Sequence, residues 1–265
     1  MKKTKLITAF AAATAAFALS ANAASIGVNT GPDTVGDGSS GNHAQNNVLL
    51  STYTAGAEVV QDNWNNLMQT SGWNTQAVTD DSGTLLATNV AVNTNWANSA
   101  GVLTGGDLTD GDRLLMNGSM DNGGGAQGWT ITDIPYAEYD VYIYHRHSNG
   151  RGGSIQVWDS DDSNNVIASQ SAYGQSGFSG TYIQATGDGT DGNGTGLESH
   201  YVKLTGLTAS NVKIRSIADT LGGGGSVKRA PLAGFQIVEA SAIPEPSTAI
   251  LALLGLIGFV SRRKR

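Results

Sequence analysis

Short apolar runs separated by turn-forming clusters constrain the fold of this chain more than any other feature of its sequence. From Ser25 to about Ala242 the runs are apolar or alternate between apolar and polar residues, and clusters of Gly, Asn, Asp and Ser interrupt them. Runs of this kind are typical of β-strands joined by tight turns. Gly supplies 36 of the 265 residues, but Gly and Pro together stay below the share typical of disordered chains. The sequence therefore predicts a folded, all-β protein.

Eight of these runs have the length and composition of strands. No regular alternation of helices and strands supports a parallel α/β sheet, so the pattern predicts an antiparallel β-sandwich of jelly-roll type, with an irregular solenoid as the alternative architecture. The predicted strands are Trp129–Ile134, Tyr139–His147, Gly153–Trp158, Val166–Ser171, Gly180–Gln184, His200–Leu204, Val212–Ile217 and Leu232–Glu239.

The first third of the body is less regular. Further strands are expected at Ile26–Asn29, Glu58–Gln61 and Leu85–Val92, and a short helix over Asp62–Met68 with Trp64 packing inward. No Pro-rich linker divides the body. We therefore expect one β-sandwich domain over residues 24–242, between a signal peptide (1–23) and a sorting tail (243–265).

The N-terminus has the three parts of a secretory signal peptide. Lys2, Lys3 and Lys5 are basic, Leu6–Leu19 is apolar, and Ala21-Asn22-Ala23 offers small residues for cleavage before Ala24. An uncleaved membrane helix is the alternative, but 14 residues reach only about 21 Å, short of the ~30 Å hydrocarbon core. We expect signal peptidase to act here and the body to be exported.

The C-terminus also has three parts in a fixed order. Pro244-Glu245-Pro246 is followed by the apolar run Ala249–Val260 and then by a basic cluster, Arg262, Arg263, Lys264 and Arg265. The two prolines interrupt the backbone before the apolar run. Twelve residues span about 18 Å as a helix, so this is a marginal membrane span whose basic end stays cytoplasmic. An ordinary tail anchor with a chance Pro-Glu-Pro is the alternative.

This tail resembles the PEP-CTERM sorting signal of exported proteins in Gram-negative bacteria. The resemblance implies that Pro244, Glu245 and Pro246 are the recognition motif, that Ala249–Val260 is a transient inner-membrane helix, and that the basic cluster stops transfer. It also implies processing by an exosortase and a place at the cell surface or in a polysaccharide-rich, biofilm-type extracellular matrix.

Parts of the body resemble a module of exported PEP-CTERM proteins of planctomycete and verrucomicrobial type. The stretches concerned are Ser25–Asn29, Gln61–Leu67 with Trp64, and Ile134-Pro135 followed by Tyr139–Tyr144. The resemblance implies a β-sandwich and assigns no activity or functional residue.

Charge and cysteine content exclude several classes of function. Without its two basic ends the body has eight basic and 21 acidic residues, a net charge of about −13, which repels phosphate backbones and argues against a nucleic-acid partner. The absence of Cys excludes disulfides, thiolate catalysis and Cys-ligated metals. No Gly-x-Ser-x-Gly, Walker or His-Glu-x-x-His motif is present. We therefore predict no catalytic residues.

Two groups on the Tyr139–His147 strand have both a functional and a packing interpretation. His145 and His147 share one face and could form half of a metal site, with His43 or His200 as the third ligand, although a solvated or hydrogen-bonded pair is favoured. Tyr142, Tyr144 and Arg146 share the other face and could stack on sugars, although sheet packing is favoured.

Acidic loops are candidate sites for structural calcium, the one cofactor that the sequence suggests. Asp159 and Asp161 lie in the loop Asp159–Asn165, and Asp188 and Asp191 lie in the loop Gly187–Gly194. The first loop lacks the Gly and Glu of an EF-hand. Asp-Gly and Asn-Gly pairs also form turns without an ion, as in the loop Asp107–Asp112, and no other metal site is predicted.

The leading hypothesis is an exported surface or matrix protein whose sandwich is structural or binds extracellular polysaccharide weakly. The alternative is an extracellular glycan-active enzyme. Exposed aromatic rings on a sheet favour binding, and close carboxylates in a cleft favour an enzyme. The side chains whose exposure discriminates are those of Trp73, Trp96, Trp129 and Trp158.

Overall fold

A computed structural model supplies the three-dimensional structure. It describes residues 24–31, 49, 51–68, 75–93, 97–99, 110–120, 127–145, 151–162, 165–174, 178–190, 196–218 and 230–240. The predicted leader 1–23 and the predicted sorting tail 243–265 lie outside these residues. No helix within the described ranges is long and apolar enough to cross a membrane.

Within the described residues the body consists of strands and one short helix. In chain order they are β1 (Ser25–Gly31), β2 (Asn65–Met68), β3 (Thr75–Thr79), β4 (Leu85–Asn93), β5 (Ala97–Ser99), α1 (Gly111–Asn117), β6 (Gly118–Met120), β7 (Gln127–Thr132), β8 (Tyr139–His145), β9 (Arg151–Asp159), β10 (Val166–Gly174), β11 (Tyr201–Leu207), β12 (Val212–Ala218) and β13 (Leu232–Glu239). Residues Ala24–Glu239 form one compact unit.

The strands form two sheets. The seven-stranded sheet has the order β11-β8-β13-β1-β2, with β6 paired to β13 and β5 to β6, and the six-stranded sheet has the order β10-β9-β12-β7-β4-β3. The long pairs are antiparallel, for example β8 with β13 and β9 with β12, and β1 and β2 are parallel. The predicted all-β, antiparallel-rich sandwich is thus confirmed.

The core contains the inward side chains of both sheets. Val141 and Ile143 of β8 belong to the same buried cluster as Ile155 and Val157 of β9, because residues two apart on a strand point to the same side. The rings of Trp129 on β7 and Phe235 on β13 meet across the interior, with centroids 4.9 Å apart. The period-two pattern of the sequence therefore directs the apolar face of each sheet against the other.

The predicted helix over Asp62–Met68 is wrong. Asn63 has a positive φ of 52°, which is incompatible with a right-handed helix, and Asn65–Met68 is strand β2. The Asn65 side chain donates to Gly27 O at 2.9 Å and accepts from Thr79 N at 2.8 Å. These polar contacts fix the segment against β1, and Trp64 is buried, 5 % exposed, against the Tyr144 ring rather than in the core between the sheets.

Two predicted strands are loops that cover the outward side of the seven-stranded sheet. Glu58–Gln61 lies in a loop closed by a bridge between Ala55 and Gln61. Gly180–Gln184 has an isolated bridge from Gln184 to Tyr201 and no ladder. Val59 O and the Tyr182 ring contact the sheet, whereas Val60 and Ile183 are 63 % and 42 % exposed. Local alternation therefore does not distinguish these loops from strands.

Helix α1 was not predicted. The loop expected over Asp107–Asp112 instead ends in a helix start, because the Asp110 side chain accepts hydrogen bonds from the backbone N–H groups of Asp112 and Arg113. Asp112 then accepts hydrogen bonds from Gly56 N and from the hydroxyl of Tyr182, each at 2.9 Å. Burial is the main reason that the pKa of Asp112 is raised.

Candidate carbohydrate-binding face

The outward side of the six-stranded sheet, called the outer face below, is largely polar, with one large aromatic ring and with exposed aliphatic side chains at Leu85, Val166 and Ile217. Its positions alternate along the strands with the core residues, and the register places Trp158 opposite Lys213, and Gln156 opposite Arg215. Thr130 continues the first row on β7. The described positions of the outer face are Ser154, Gln156, Trp158, Val166, Ser169, Ser171, Lys213, Arg215, Ile217, Gly128, Thr130, Thr132, Leu85, Ala87, Asn89, Ala91, Thr75 and Ala77.

Trp158 is held in a defined orientation on this face. Its side chain is partly exposed, and its Nε1 donates a 2.9 Å hydrogen bond to Gln156 Oε1. Gln156 Nε2 in turn donates to Ser154 Oγ at 3.1 Å, and the Arg215 guanidinium carbon lies 5.4 Å from the Trp158 ring centroid. A ring fixed in this way loses little side-chain entropy when a ligand stacks on it.

The outer face is basic although the body as a whole is acidic. Arg113 forms an ion pair with Asp110 at 3.3 Å, and Lys203 forms one with Glu58 at 2.6 Å. Lys213 and Arg215, the other basic residues whose side chains the structure describes, have no ion-pair partner among the described residues. The outer-face positions named above include no Asp or Glu. This face can therefore offer cationic donors to a ligand.

Of the four tryptophans named from the sequence, Trp158 is the one found partly exposed in the described part of the chain. Trp129 is 1 % exposed and belongs to the core, and Trp73 and Trp96 lie outside the described residues. Lys213 and Arg215 were not named as site residues from the sequence. The alternation within the predicted strand Val212–Ile217 already places both on one side, but the pairing of β12 with β9 that brings them beside Trp158 is non-local.

The predicted tyrosine stripe is buried on the opposite side of the sandwich. Tyr142 and Tyr144 are 0 % exposed, and the loop around Glu58 covers them: Ala57 N donates to the Tyr144 hydroxyl at 3.1 Å. Arg146 lies outside the described residues. These rings therefore have the packing role that was favoured for them and are not available to sugars.

Glu58 binds the edge of this tyrosine cluster. Its carboxylate accepts hydrogen bonds from Lys203 Nζ at 2.6 Å, from the Tyr201 hydroxyl at 2.9 Å and from the Tyr142 hydroxyl at 3.3 Å. Burial alone would raise the pKa of Glu58, but these hydrogen bonds and the charge of Lys203 outweigh it and hold the pKa below its usual value. Glu58 therefore links its loop to the seven-stranded sheet through hydrogen bonds and an ion pair.

In the candidate calcium loops, aspartate oxygens make hydrogen bonds within the protein. Asp159 Oδ1 accepts from Asp161 N at 2.9 Å, and Asp161 Oδ2 accepts from Asn211 Nδ2 at 3.2 Å. Asp188 Oδ1 accepts from the backbone N–H and the hydroxyl of Thr190, both at 2.9 Å. Asp191 lies outside the described residues. The contacts seen are those of Asx turns.

The structure brings His145 close to His200 but leaves His43 and His147 outside the described residues. His145 N donates to His200 O at 3.0 Å, and the Ser199 hydroxyl lies 3.3 Å from His145 Nε2. Among the described residues there is no group of three or more side chains of the kinds that ligate metals. Complete burial, with a smaller contribution from His200, lowers the pKa of His145 to about 3.

Protein stability should therefore fall between pH 7 and pH 5. The unfolded chain binds a proton at His145 near its ordinary pKa of about 6.5, whereas the folded chain does not, so acid favours unfolding, by about 2 kcal/mol at pH 5. Denaturant unfolding at several pH values measures this, and His145→Asn should flatten the pH dependence over this interval. An unchanged pH dependence in the variant would contradict the assignment to His145.

Comparison with known proteins identifies the tail. Searches of the curated proteins and of the solved structures found no match to this chain. A family profile for the PEP-CTERM protein-sorting motif matches residues 242–265, which include Pro244–Pro246, Ala249–Val260 and Arg262–Arg265. The motif implies export, membrane transit and sorting by an exosortase. The chain therefore carries a PEP-CTERM protein-sorting motif at its C-terminal end and is an exosortase-sorted, exported surface protein.

Proposed function

We propose that this protein resides at the cell surface or in the extracellular matrix and binds polysaccharide weakly through the outer face. The observation that carries the proposal is the partly exposed Trp158 ring, fixed by Gln156 among polar side chains. Aromatic rings stack on the apolar faces of sugars, and neighbouring amides and hydroxyls bind sugar hydroxyls. One ring on a sheet surface supports weak, repeated contacts along a polymer.

Binding without cleavage is the form of the proposal that the outer face supports. Hydrolysis of a glycosidic bond requires two carboxyl groups at a defined separation, and the outer-face positions named above include no Asp or Glu. A glycan-active enzyme remains the alternative. Release of reducing ends from a bound polysaccharide would favour it.

The processing route is the second part of the proposal. Signal peptidase would cleave before Ala24, one residue before β1 begins at Ser25. The run Ala249–Val260 would then anchor the chain transiently in the inner membrane until an exosortase acts. Both steps leave the strands of the sandwich intact, since β13 ends at Glu239.

Trp158→Ala should weaken polysaccharide binding about tenfold, because loss of one stacking ring is worth on the order of 1 kcal/mol or more. The measurement is the Kd of the full chain in mild detergent for each member of a polysaccharide panel that contains neutral and acidic polymers. Trp158→Phe should retain most of the affinity. Ile183→Ala, at a side chain 42 % exposed on a covering loop, is the matched control and should have no effect. Equal affinity of Trp158→Ala and the parent protein would refute a role for the outer face.

A further inference from the structure

We infer that the outer face selects acidic polysaccharides, and that Lys213 and Arg215 bind the polymer's carboxylates directly, without a bridging calcium ion. This inference rests on the proposed function and specifies its ligand class. Overall charge alone would favour a neutral sugar, since the body's net charge of about −13 repels anionic polymers. The distribution of charge on the described surface reverses that expectation locally.

Distance limits the effect that the body's acidic side chains have on a polymer bound at the outer face. At physiological ionic strength the Debye length is about 8 Å, so exposed charges further away are largely screened. The potential that a bound polymer experiences is thus set by side chains on the outer face itself. The described positions there include two cations and no carboxylate. The loop carboxylates Asp159 and Asp161 lie at the end of β9, beyond Trp158, where they accept hydrogen bonds from Asp161 N and Asn211 Nδ2.

Lys213 and Arg215 are available to a ligand because no carboxylate of the described residues pairs with them. The other described basic side chains, Arg113 and Lys203, are each within 3.3 Å of a carboxylate oxygen. Arg215 has no carboxylate partner among the described residues, and its Nε is buried without a hydrogen-bond acceptor there. A ligand carboxylate that binds the guanidinium of Arg215 therefore has no protein carboxylate to displace, unlike one that binds Arg113 or Lys203.

Lys213 and Arg215 lie where a ligand bound at Trp158 can meet them. Lys213 lies directly opposite Trp158 on the neighbouring strand, and Arg215 follows two residues later on the same side, with its guanidinium over the ring, 5.4 Å from the centroid. Residues two apart on a strand are separated by about 6.6 Å. A sugar at Trp158 therefore has both cations on its β12 side, and the planar fork of Arg215 suits two-point binding of a carboxylate.

Direct binding and a calcium bridge would use different residues of the protein. The loops considered for calcium use oxygens of Asp159, Asp161 and Asp188 for hydrogen bonds within the protein. The outer face, in contrast, can bind a carboxylate with the cations that it already carries. Direct binding should weaken with added salt and persist in a chelator.

The test compares a polyuronate with its carboxyl-reduced form, which has the same backbone and no charge. The full chain in mild detergent, with EDTA present, should bind the polyuronate about tenfold more tightly than the reduced polymer. Lys213→Gln/Arg215→Gln should abolish that difference, so that the variant binds the polyuronate no more tightly than it binds the reduced polymer. The matched control is Ser51→Glu/Thr181→Glu, which changes net charge equally at exposed loop positions and should keep most of the preference.

The outcomes distinguish the two proposals. Equal affinity for both polymers, with loss of both in Trp158→Ala, would overturn the charge inference and leave the proposed function standing. Loss of polyuronate binding in EDTA would also overturn it, in favour of a calcium bridge. A preference lost equally in the Ser51→Glu/Thr181→Glu control would assign the effect to net charge and overturn the roles of Lys213 and Arg215. Failure to bind either polymer, or any other polysaccharide, would refute the proposed function itself.

Discussion

Trp129→Ala is expected to lower the free energy of unfolding by about 3–5 kcal/mol, the usual range for removal of a large buried ring. The Trp129 side chain is 1 % exposed, and its ring contacts Phe235 of the opposite sheet with centroids 4.9 Å apart. The substitution removes apolar contacts between the sheets and leaves a cavity that rigid strands cannot close. Denaturant unfolding of the full chain in one detergent measures the change.

Trp158→Ala is the matched control for this prediction. The two tryptophans lie on opposite sides of the same six-stranded sheet, so the substitution is chemically identical while the surroundings differ. Trp158 is partly exposed, and its loss should cost on the order of 1 kcal/mol or less, as is usual for surface positions. Equal destabilisation by both substitutions would contradict the assignment of one ring to the core and the other to the outer face.

Strands with regular alternation were predictable because one local rule decides them. The strand Leu232–Glu239 was predicted with the bounds that β13 has, and Val212–Ile217 differs from β12 by one residue. In β12 every second side chain enters the core, so the alternation in the sequence is the pattern of burial. Strand β13 is instead a continuous buried run with both faces covered. The fold class followed from these elements.

Segments that fold through long-range contacts were not predictable from local pattern. Asn65 and Asn66 are weak strand formers, yet β2 forms because Asn65 bonds Gly27 and Thr79. Close approach also matters: a Cβ atom at Gly27 would lie 2.8 Å from Trp64 Cδ2, so only glycine admits the Trp64 ring there. Neither contact leaves a signal within a window of neighbouring residues.

The candidate site was predictable in part for the same reason. Trp158 could be named because tryptophan is rare and its exposure is informative. Its partners lie 55 and 57 positions further along the chain, and the pairing of β9 with β12 brings them together. The polar cluster of Glu58, Tyr201 and Lys203 was missed likewise, since a loop and a distant strand contribute to it.

Pro244→Ala/Pro246→Ala, which replaces both prolines of the sorting motif, is expected to block removal of the C-terminal peptide in the native host. The family profile covers residues 242–265, and the double variant removes both prolines of its Pro-Glu-Pro sequence, together with the restriction that a proline places on its own φ and on the residue before it. The parent protein should be recovered from the cell surface with a C-terminus near residues 244–247. The double variant should remain in the membrane fraction and still end in Arg265.

Intact-mass analysis of surface and membrane fractions measures this outcome. The matched control is Ser241→Ala, which lies just before the profile match and should leave processing unchanged. Because β13 ends at Glu239, unprocessed and processed chains should give the same denaturant unfolding curve for the sandwich, so the readout reports sorting rather than folding. Parent protein that still ends in Arg265 at the cell surface would contradict exosortase processing of this chain.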